Sequence, residues 1–474
     1  MIKNNSRVNR MALGARVVLL LVLSQPAWSD VFVLWSSPDL PSSRSLGVDD
    51  IVFSWKEGIA PLLAAGRRQG YRVYVETPMP KAKTAAEEAA KAGCTGVILD
   101  IADAESAGPG KDVETLQVLY PHLRFLVLNL NGKRPEMRGS LIIKRDSVLE
   151  VSSPTAQPWI DTNLALVKVE ERAHQTQVPL YTFSWSDQGQ QKTQTADDYS
   201  LAVAEAGAFR ADLVLQLDDQ IQQSLYRHDA QAWALWNQVR STLKFFSNRS
   251  AGALEPAANV AVLVDRLDTS DEVLNLLSRH NIPFRVLLTS DLTEQNLKGV
   301  DILIVFAKPN KEIGEQINSL AALGATVVLV DAPGHYPWQK EPPVQLNEHT
   351  TSYATGRGKV LEFPEAISDP ETFAQDIRRL LGKRNALLTL WNGLTTIAVP
   401  YKDHSGTIKQ LDFVNYALDP VRVQVQVKGS FASIQYESPE RACCESLISV
   451  KREGFTEFVI PDLRITGRVR LELQ

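Results

Sequence analysis

The chain has 474 residues, 44% hydrophobic and 22% charged, a composition of ordinary globular protein and a length of about three domains at roughly 100–200 residues each. Fifty Lys+Arg against 55 Asp+Glu give a net charge of −5, which excludes recruitment of nucleic acid or an anionic membrane by bulk charge. Three cysteines exclude a disulfide-built scaffold. Cys94 stands alone, the adjacent Cys443 and Cys444 have no His or carboxylate at ligand spacing, and the seven histidines are scattered, so neither a metal site nor a cofactor is expected.

Residues 1–29 read as a secretory signal. Lys3, Arg7, Arg10 and Arg16 form a basic stretch without an acid, Val17 to Leu23 is a short apolar core, and Ala27-Trp28-Ser29 sets small residues where a signal peptidase inspects them. Cleavage before Asp30 removes four bases and no acid, leaving a net charge of −9. An uncleaved anchor is the competing reading, but the apolar run falls short of the roughly 20 residues that span a bilayer. No later segment is long and apolar enough either, so the mature chain is expected without a membrane span, secreted or periplasmic.

From Asp30 to Asn248 short apolar runs alternate with amphipathic stretches, the pattern of βα units on a parallel sheet. Eight strands are predicted, at Val31 to Trp35, Ile51 to Trp55, Tyr71 to Thr77, Thr95 to Ile101, Arg124 to Leu130, Val148 to Ser153, Leu180 to Trp185 and Asp212 to Asp218. Helices are predicted at Gly58 to Gln69, Thr84 to Ala92, Asp112 to Leu119, Asp161 to Gln175, Asp197 to Arg210 and Asp229 to Phe246. That count predicts a (β/α)8 TIM barrel over 30–250, with a doubly wound open sheet as the alternative. The Leu-Ile-Ile run within Ser140 to Arg145 leaves the register open there, and the first and fifth connections lack a clear helix.

The Gly, Pro and Ala of Ser250 to Ala258 read as a linker. Beyond it Val260 to Val264, Phe284 to Leu288, Ile302 to Phe306 and Thr326 to Val330 are continuous apolar runs of the kind buried on both sheet faces, separated by helices at Ser270 to His280 and Lys311 to Leu323. A flavodoxin-like α/β domain is therefore expected over 257–385. From 386 to 474 the strands alternate, as in Leu411 to Tyr416, Val421 to Val427 and Phe455 to Ile460, and a β-sandwich is expected.

This order of parts, with Asn259-Val-Ala-Val-Leu-Val264, Gly299-Val-Asp-Ile-Leu-Ile-Val305, Gly356-Arg-Gly-Lys-Val360 and Phe413-Val-Asn-Tyr416, resembles β-galactosidases whose middle piece is a glutamine-amidotransferase-like trimerisation domain, and related barrel glycoside hydrolases. The resemblance implies a carbohydrate-active protein whose middle domain mediates contact within the chain or between subunits, the latter as a homo-oligomer. No Cys or Ser stands on a glycine-flanked elbow there, so that domain is expected to be catalytically silent. Gly356-Arg-Gly-Lys359 lacks the long loop and Ser/Thr of a phosphate-binding P-loop.

In an eight-stranded barrel the site lies at the C-terminal strand ends. Glu76 ends the third strand, Asp100 and Asp103 follow on the fourth, and Asn129 and Asn131 end the fifth. Glu150 lies on the sixth, with Trp159 and Asp161 beyond it; Trp185 and Asp187 mark the seventh and Asp218 the eighth. Glycoside hydrolysis needs two carboxyl groups across the scissile bond, and Asp100, Glu76, Glu150 and Asp161 are the candidates. Gly96-Val-Ile-Leu-Asp100 resembles the fourth-strand segment of barrel glycosidases whose catalytic Asp ends that strand. Helix capping is the competing role for Asp100 and Asp161.

The β-galactosidases carry Glu at the ends of strands four and seven, where this chain has Asp100 and Trp185-Ser186-Asp187, so their catalytic pair does not carry over. Trp35, Trp55, Trp159 and Trp185 offer faces for stacking on a pyranose, and Asn129, Asn131, Asp103, Asp187 and Asp218 offer hydroxyl partners. The expected ligand is an oligo- or polysaccharide. Two functions stand open: a glycoside hydrolase, and a non-catalytic carbohydrate-binding or assembly protein on a degenerate barrel.

Overall fold

The computed structural model describes residues 30–101, 110–128, 163–173, 178–182, 194–247, 254–265, 271–417, 419–441 and 444–473, with short strand segments between 136 and 160 and at 184–185. The expected signal over 1–29 lies outside the described residues.

Seven parallel strands form the first sheet: β1 (Val31–Leu34), β2 (Asp50–Ser54), β3 (Arg72–Pro78), β4 (Gly96–Asp100), β5 (Arg124–Leu128), β6 (Leu180–Tyr181) and β7 (Asp212–Gln216). They run β6-β7-β1-β2-β3-β4-β5, with β7 beside β1 from Val31 opposite Leu213 to Leu34 opposite Gln216. Because β5 and β6, the two ends, also lie against each other, the sheet is a nearly closed barrel. Close strand approach dictates glycine at the start of β4, since a Cβ on Gly96 would stand 2.2 Å from the Arg124 carbonyl oxygen.

The barrel has seven strands among the described residues where eight are predicted. Among the described residues the predicted sixth strand is Val148–Glu150, paired antiparallel with Ile143–Arg145 so that Arg145 faces Val148. A parallel strand needs a crossover connection, and the sequence supplies no clear helix after β5. The local antiparallel partner Ile143–Arg145 takes its place. The predicted seventh strand contributes β6 alone, while Ser184–Trp185 pairs with Glu136–Met137 in a separate ribbon.

Strand alternation divides the barrel residues into two cores. Phe32, Val52, Tyr74, Ile98, Leu126, Leu128, Leu180 and Val214 fill the interior. Val33, Ile51, Phe53, Val73, Val75, Val97 and Leu99 face outward onto the helices. That outer core is continuous with the rest of the chain: it also holds Val260, Val262 and Leu277, and Ile397, Tyr401, Val414 and Tyr416.

The second sheet orders its strands Phe284–Leu288, Val260–Val264, Ile302–Val305, Thr326–Val330, Gly358–Phe363, Thr350–Thr355 and Pro343–Asn347, the first five parallel and the last two antiparallel. Gly356-Arg357 is the turn between the last-formed pair, with Thr355 opposite Gly358. Gly356 has φ +58 there, and a Cβ would meet the Ala322 carbonyl oxygen at 2.6 Å. The C-terminal region is β-rich: a six-stranded and a four-stranded antiparallel sheet enclose Leu411, Phe413, Val423, Val425, Ile434, Phe458, Ile460 and Leu471.

One buried carboxylate joins these parts. Glu205, on the Ala196–Phe209 helix, is 0% exposed. It accepts from Asn163 Nδ2 at 2.6 Å and the Asn163 amide at 3.2 Å, from Tyr181 Oη of β6 at 3.3 Å, and from Tyr416 Oη at 2.5 Å. Burial drives its pKa up, against the lowering effect of these donors. Tyr416→Phe removes a donor to a charged group and is expected to cost about 1.5–3 kcal/mol, read as a fall in urea midpoint. With its folded pKa above its unfolded one, Glu205 makes the folded state bind more protons between the two values, so its contribution to stability falls as pH rises through that interval. Glu205→Gln is expected to flatten this part of the stability–pH curve.

Candidate functional site

The apolar interior identifies the inward phase of each strand, and the next inward positions toward the C-terminal ends are polar. On β2 this is Ser54, on β3 Glu76, on β4 Asp100, just past β6 Thr182, and on β7 Gln216. They form a polar collar above an apolar plug in which Tyr74 stands edge-on to Phe32 at 5.0 Å. Ser54 Oγ donates to Glu76 Oε2 at 3.4 Å, and Glu76 is 9% exposed. Gln216 Nε2 donates to Thr182 Oγ1 at 3.2 Å, which in turn donates to the Val214 carbonyl at 3.0 Å.

Glu76 and Asp100 lie on adjacent strands and share this face. Glu76 is in register with Ile98, so Asp100 stands two residues further toward the mouth. A strand spacing of ~4.8 Å and a rise of ~3.3 Å per residue separate the two α-carbons by about 8 Å. Asp100 is half-buried. Two carboxyl groups on adjacent strands of one inward face can place a proton donor and a base, or a proton donor and a nucleophile, around one bond.

The predicted tryptophans fall differently. Trp35 follows Val33 and Trp55 follows Phe53 in the outward phase. Trp35 is 1% exposed within the outer core, its Nε1 donating to the Asp39 carbonyl at 3.1 Å. Trp55 packs against the same core and donates from Nε1 to Glu88 Oε2 at 3.1 Å. The face of Trp35 is thus given to packing rather than to the mouth.

Asp218 is exposed and caps the Asp219–Tyr226 helix, accepting from the Gln220 amide at 2.8 Å. Its own amide donates to Tyr199 Oη at 3.2 Å, and burial pushes that phenol up to about 12. Glu150 ends the antiparallel Val148–Glu150 segment, outside the barrel sheet, which corrects its expected place on a sixth barrel strand. Trp159 pairs with Leu141, and Trp185 with Met137. Asp103, Asn129, Asn131, Asp161 and Asp187 lie outside the described residues.

Ser54, Thr182 and Gln216 are the collar residues that motif reading passes over. Their signal is strand parity: each lies an even number of residues from an interior position. Further tie points sit on the rim, where the Ser36 amide donates to Gln222 Oε1 at 2.9 Å and Ser36 Oγ to Asp219 Oδ1 at 2.7 Å, holding the β1 loop to the helix after β7. A groove of about 810 Å³ runs outside the barrel between the Ala60–Arg68 and Ala82–Ala92 helices, lined by Arg67, Arg68, Glu88 and Lys91. It is off the barrel axis, and its Glu88 is engaged by Trp55. Among the described residues no group of three or more His, Cys, Asp or Glu side chains could hold a metal ion.

Trp35→Ala is expected to lower unfolding free energy by about 3–5 kcal/mol through the cavity it leaves. Denaturant titration beside glycan binding checks this: a stability loss with unchanged affinity marks packing, and the reverse marks a sugar platform.

No protein-family model matches the chain, and no curated protein matches it by sequence. Solved structures match it in fold. α-L-Fucosidase isoenzyme 2 from Paenibacillus thiaminolyticus aligns at a TM-score of 0.58 and 12% identity, covering 95% of this chain and 100% of that one. A GH42 β-galactosidase, Gan42B, aligns at 0.56 and 10% identity, covering 94% and 99%. A β-galactosidase from a Rahnella species aligns at 0.55 and 11%, covering 92% and 99%. These structural neighbours are glycoside hydrolases, and what the chain shares with them is a fold with a nearly closed parallel barrel.

Proposed function

We propose that the chain is an exported carbohydrate-active protein, a glycoside hydrolase whose working pair is Glu76 and Asp100. The observation that supports this is their common inward phase at the barrel mouth, one strand and two residues apart. In such a site one carboxyl protonates the leaving glycosidic oxygen as the C–O bond breaks. The other attacks the anomeric carbon or takes a proton from the attacking water. Ser54 and Gln216 flank the pair as hydroxyl partners, and Asp103, Asn129, Asn131, Glu150, Trp159, Asp161, Trp185 and Asp187 remain the proposed surroundings of an oligo- or polysaccharide.

Asp100→Asn and Glu76→Gln are nearly isosteric and remove only the ionisable oxygen. Each is expected to lower hydrolysis of chromogenic glycosides by at least about 10²-fold with melting temperature and sugar affinity nearly unchanged. Full turnover in either variant removes that residue from the mechanism.

A second reading, a non-catalytic sugar-binding or assembly protein on a degenerate barrel, is favoured by one observation: Trp35 and Trp55 are committed to the outer core, leaving the rim without these two aromatic faces. A wild-type chain that binds glycans and hydrolyses none of a broad panel establishes that reading instead.

For the remaining parts we propose the boundaries 30–250, 257–385 and 386–474. The middle unit is read as flavodoxin-like and related to glutamine amidotransferases, supported by the 2-1-3-4-5 order of its parallel strands. It is proposed to mediate self-association. Sedimentation at micromolar concentration is expected to show an oligomer, and a monomer overturns that role.

A further inference from the structure

The end of the barrel opposite the mouth carries a charge arrangement that sugar hydrolysis does not use. Asp30 immediately precedes β1, its amide donating to Asp212 Oδ1 at 2.7 Å and its carbonyl accepting from the Leu213 amide at 3.0 Å. Asp212 opens β7 and is 2% exposed; Asp50 opens β2 and is 4% exposed. Arg72 bonds Asp50, and an Arg124 nitrogen lies 3.8 Å from the Asp30 carboxylate. Exposed Asp49 and the Tyr74 phenol complete the titratable groups that face this floor.

Among the described residues two guanidiniums therefore serve four carboxylates, of which two are almost fully buried. The deficit has visible effects. Asp50 Oδ1 is buried without a hydrogen-bond partner. Burial pushes the Asp50 carboxyl up to about 6 and the Asp212 carboxyl well above the ordinary range, with the neighbouring Asp30 adding to both shifts. Uncompensated buried carboxylates are costly, so the floor is short of a cation next to Asp212.

We propose that export processing supplies it: removal of the leader after Ser29 creates an α-ammonium at Asp30 that pairs with Asp212 and completes the barrel floor. The inference rests on the cleavage junction read from the sequence and is independent of the hydrolase reading. Hydrolysis of the Ser29–Asp30 amide by a signal peptidase adds one water, its hydroxyl going to the Ser29 carbonyl carbon and its proton to the Asp30 nitrogen. That amine takes up a second proton at neutral pH, since a free α-amine titrates near about 7.7–8.0. The neutral amide donor already aimed at Asp212 thereby becomes a charged donor, and charge-assisted bonds are roughly twice as strong as neutral ones.

The sign of the pH dependence follows. Carboxylates around it raise the α-amine pKa in the folded chain. Its contribution is full below the unfolded value of about 7.7 and is lost as pH rises through the raised folded value. At acidic pH it is lost as Asp212 takes up a proton.

The test compares two full-length mature chains released from a cleavable fusion, one beginning at Asp30 and one retaining Ala27-Trp28-Ser29. At pH 7 the chain beginning at Asp30 is expected to melt higher by about 2–4 °C, with the gap closing at alkaline pH; equal melting at pH 7 overturns the proposal. Asp212→Asn is expected to erase the gap, and a gap that persists in it overturns the pairing. Should that variant not fold, competitive acylation of the α-amine in the native wild-type chain is expected to give an apparent pKa above that of the urea-unfolded chain, whereas equal values overturn it. Intact-mass measurement of the exported protein reads the junction separately: a first residue other than Asp30 overturns the processing half whatever the melting data show.

Discussion

The fold depends on a carboxylate that no solvent reaches. Glu205 is positioned by a helix whose residues from Tyr199 to Phe209 are buried, so its charge must be met by protein groups or lost to protonation. The donors come from three separate stretches of chain, Asn163, Tyr181 and Tyr416. Tyr181 belongs to a strand of only two residues at the end of the barrel sheet, and Tyr416 to the C-terminal β-rich region. Directional bonds to one fixed point set the position of the barrel's weakest strand relative to a region more than two hundred residues away in sequence.

Other contacts at the same boundary share that logic. Tyr401 Oη donates to the Ala208 carbonyl at 2.5 Å while the Arg210 guanidinium lies 3.7 Å from its ring centroid. Arg468, 1% exposed, donates to Asp412 at 2.7 Å, and its guanidinium lies 4.8 Å from the Phe245 ring centroid. Each combines a buried polar group with a specific partner and an aromatic wall. Apolar burial supplies most of the cohesion, and these polar contacts restrict it to one arrangement.

Much of this was legible in the sequence. The continuous apolar runs of β2, β3 and Val260–Val264 mark strands to within one or two residues because burial on both faces leaves no competing pattern. The candidate site was partly legible: the positions of Glu76 and Asp100 at strand ends follow from the strand pattern, and counting parity from Phe32 and Phe53 separates inward residues from Trp35 and Trp55. The antiparallel Pro343–Asn347 strand was not legible, since its five residues open on a proline and its alternating Val344 and Leu346 are exposed rather than turned to a core. Nor was the fate of Val148, because a short β-branched run fits a hairpin as well as a barrel, and propensity does not choose between them. Glu205 did leave a signal, a single acid in a stretch that is otherwise nearly all apolar or small, which is the mark of a helix surrounded by protein.

The continuity of the outer core bears on how such a protein can change over time. Val33 and Leu213 of the barrel share one buried cluster with Val260 of the second sheet and Tyr401 of the third region. A barrel spliced onto a foreign neighbour would expose part of that wall, so replacing one part calls for matching changes in the residues that face it. Inward collar positions such as Ser54 and Gln216 do not belong to that wall, so they can change without the neighbouring parts changing with them.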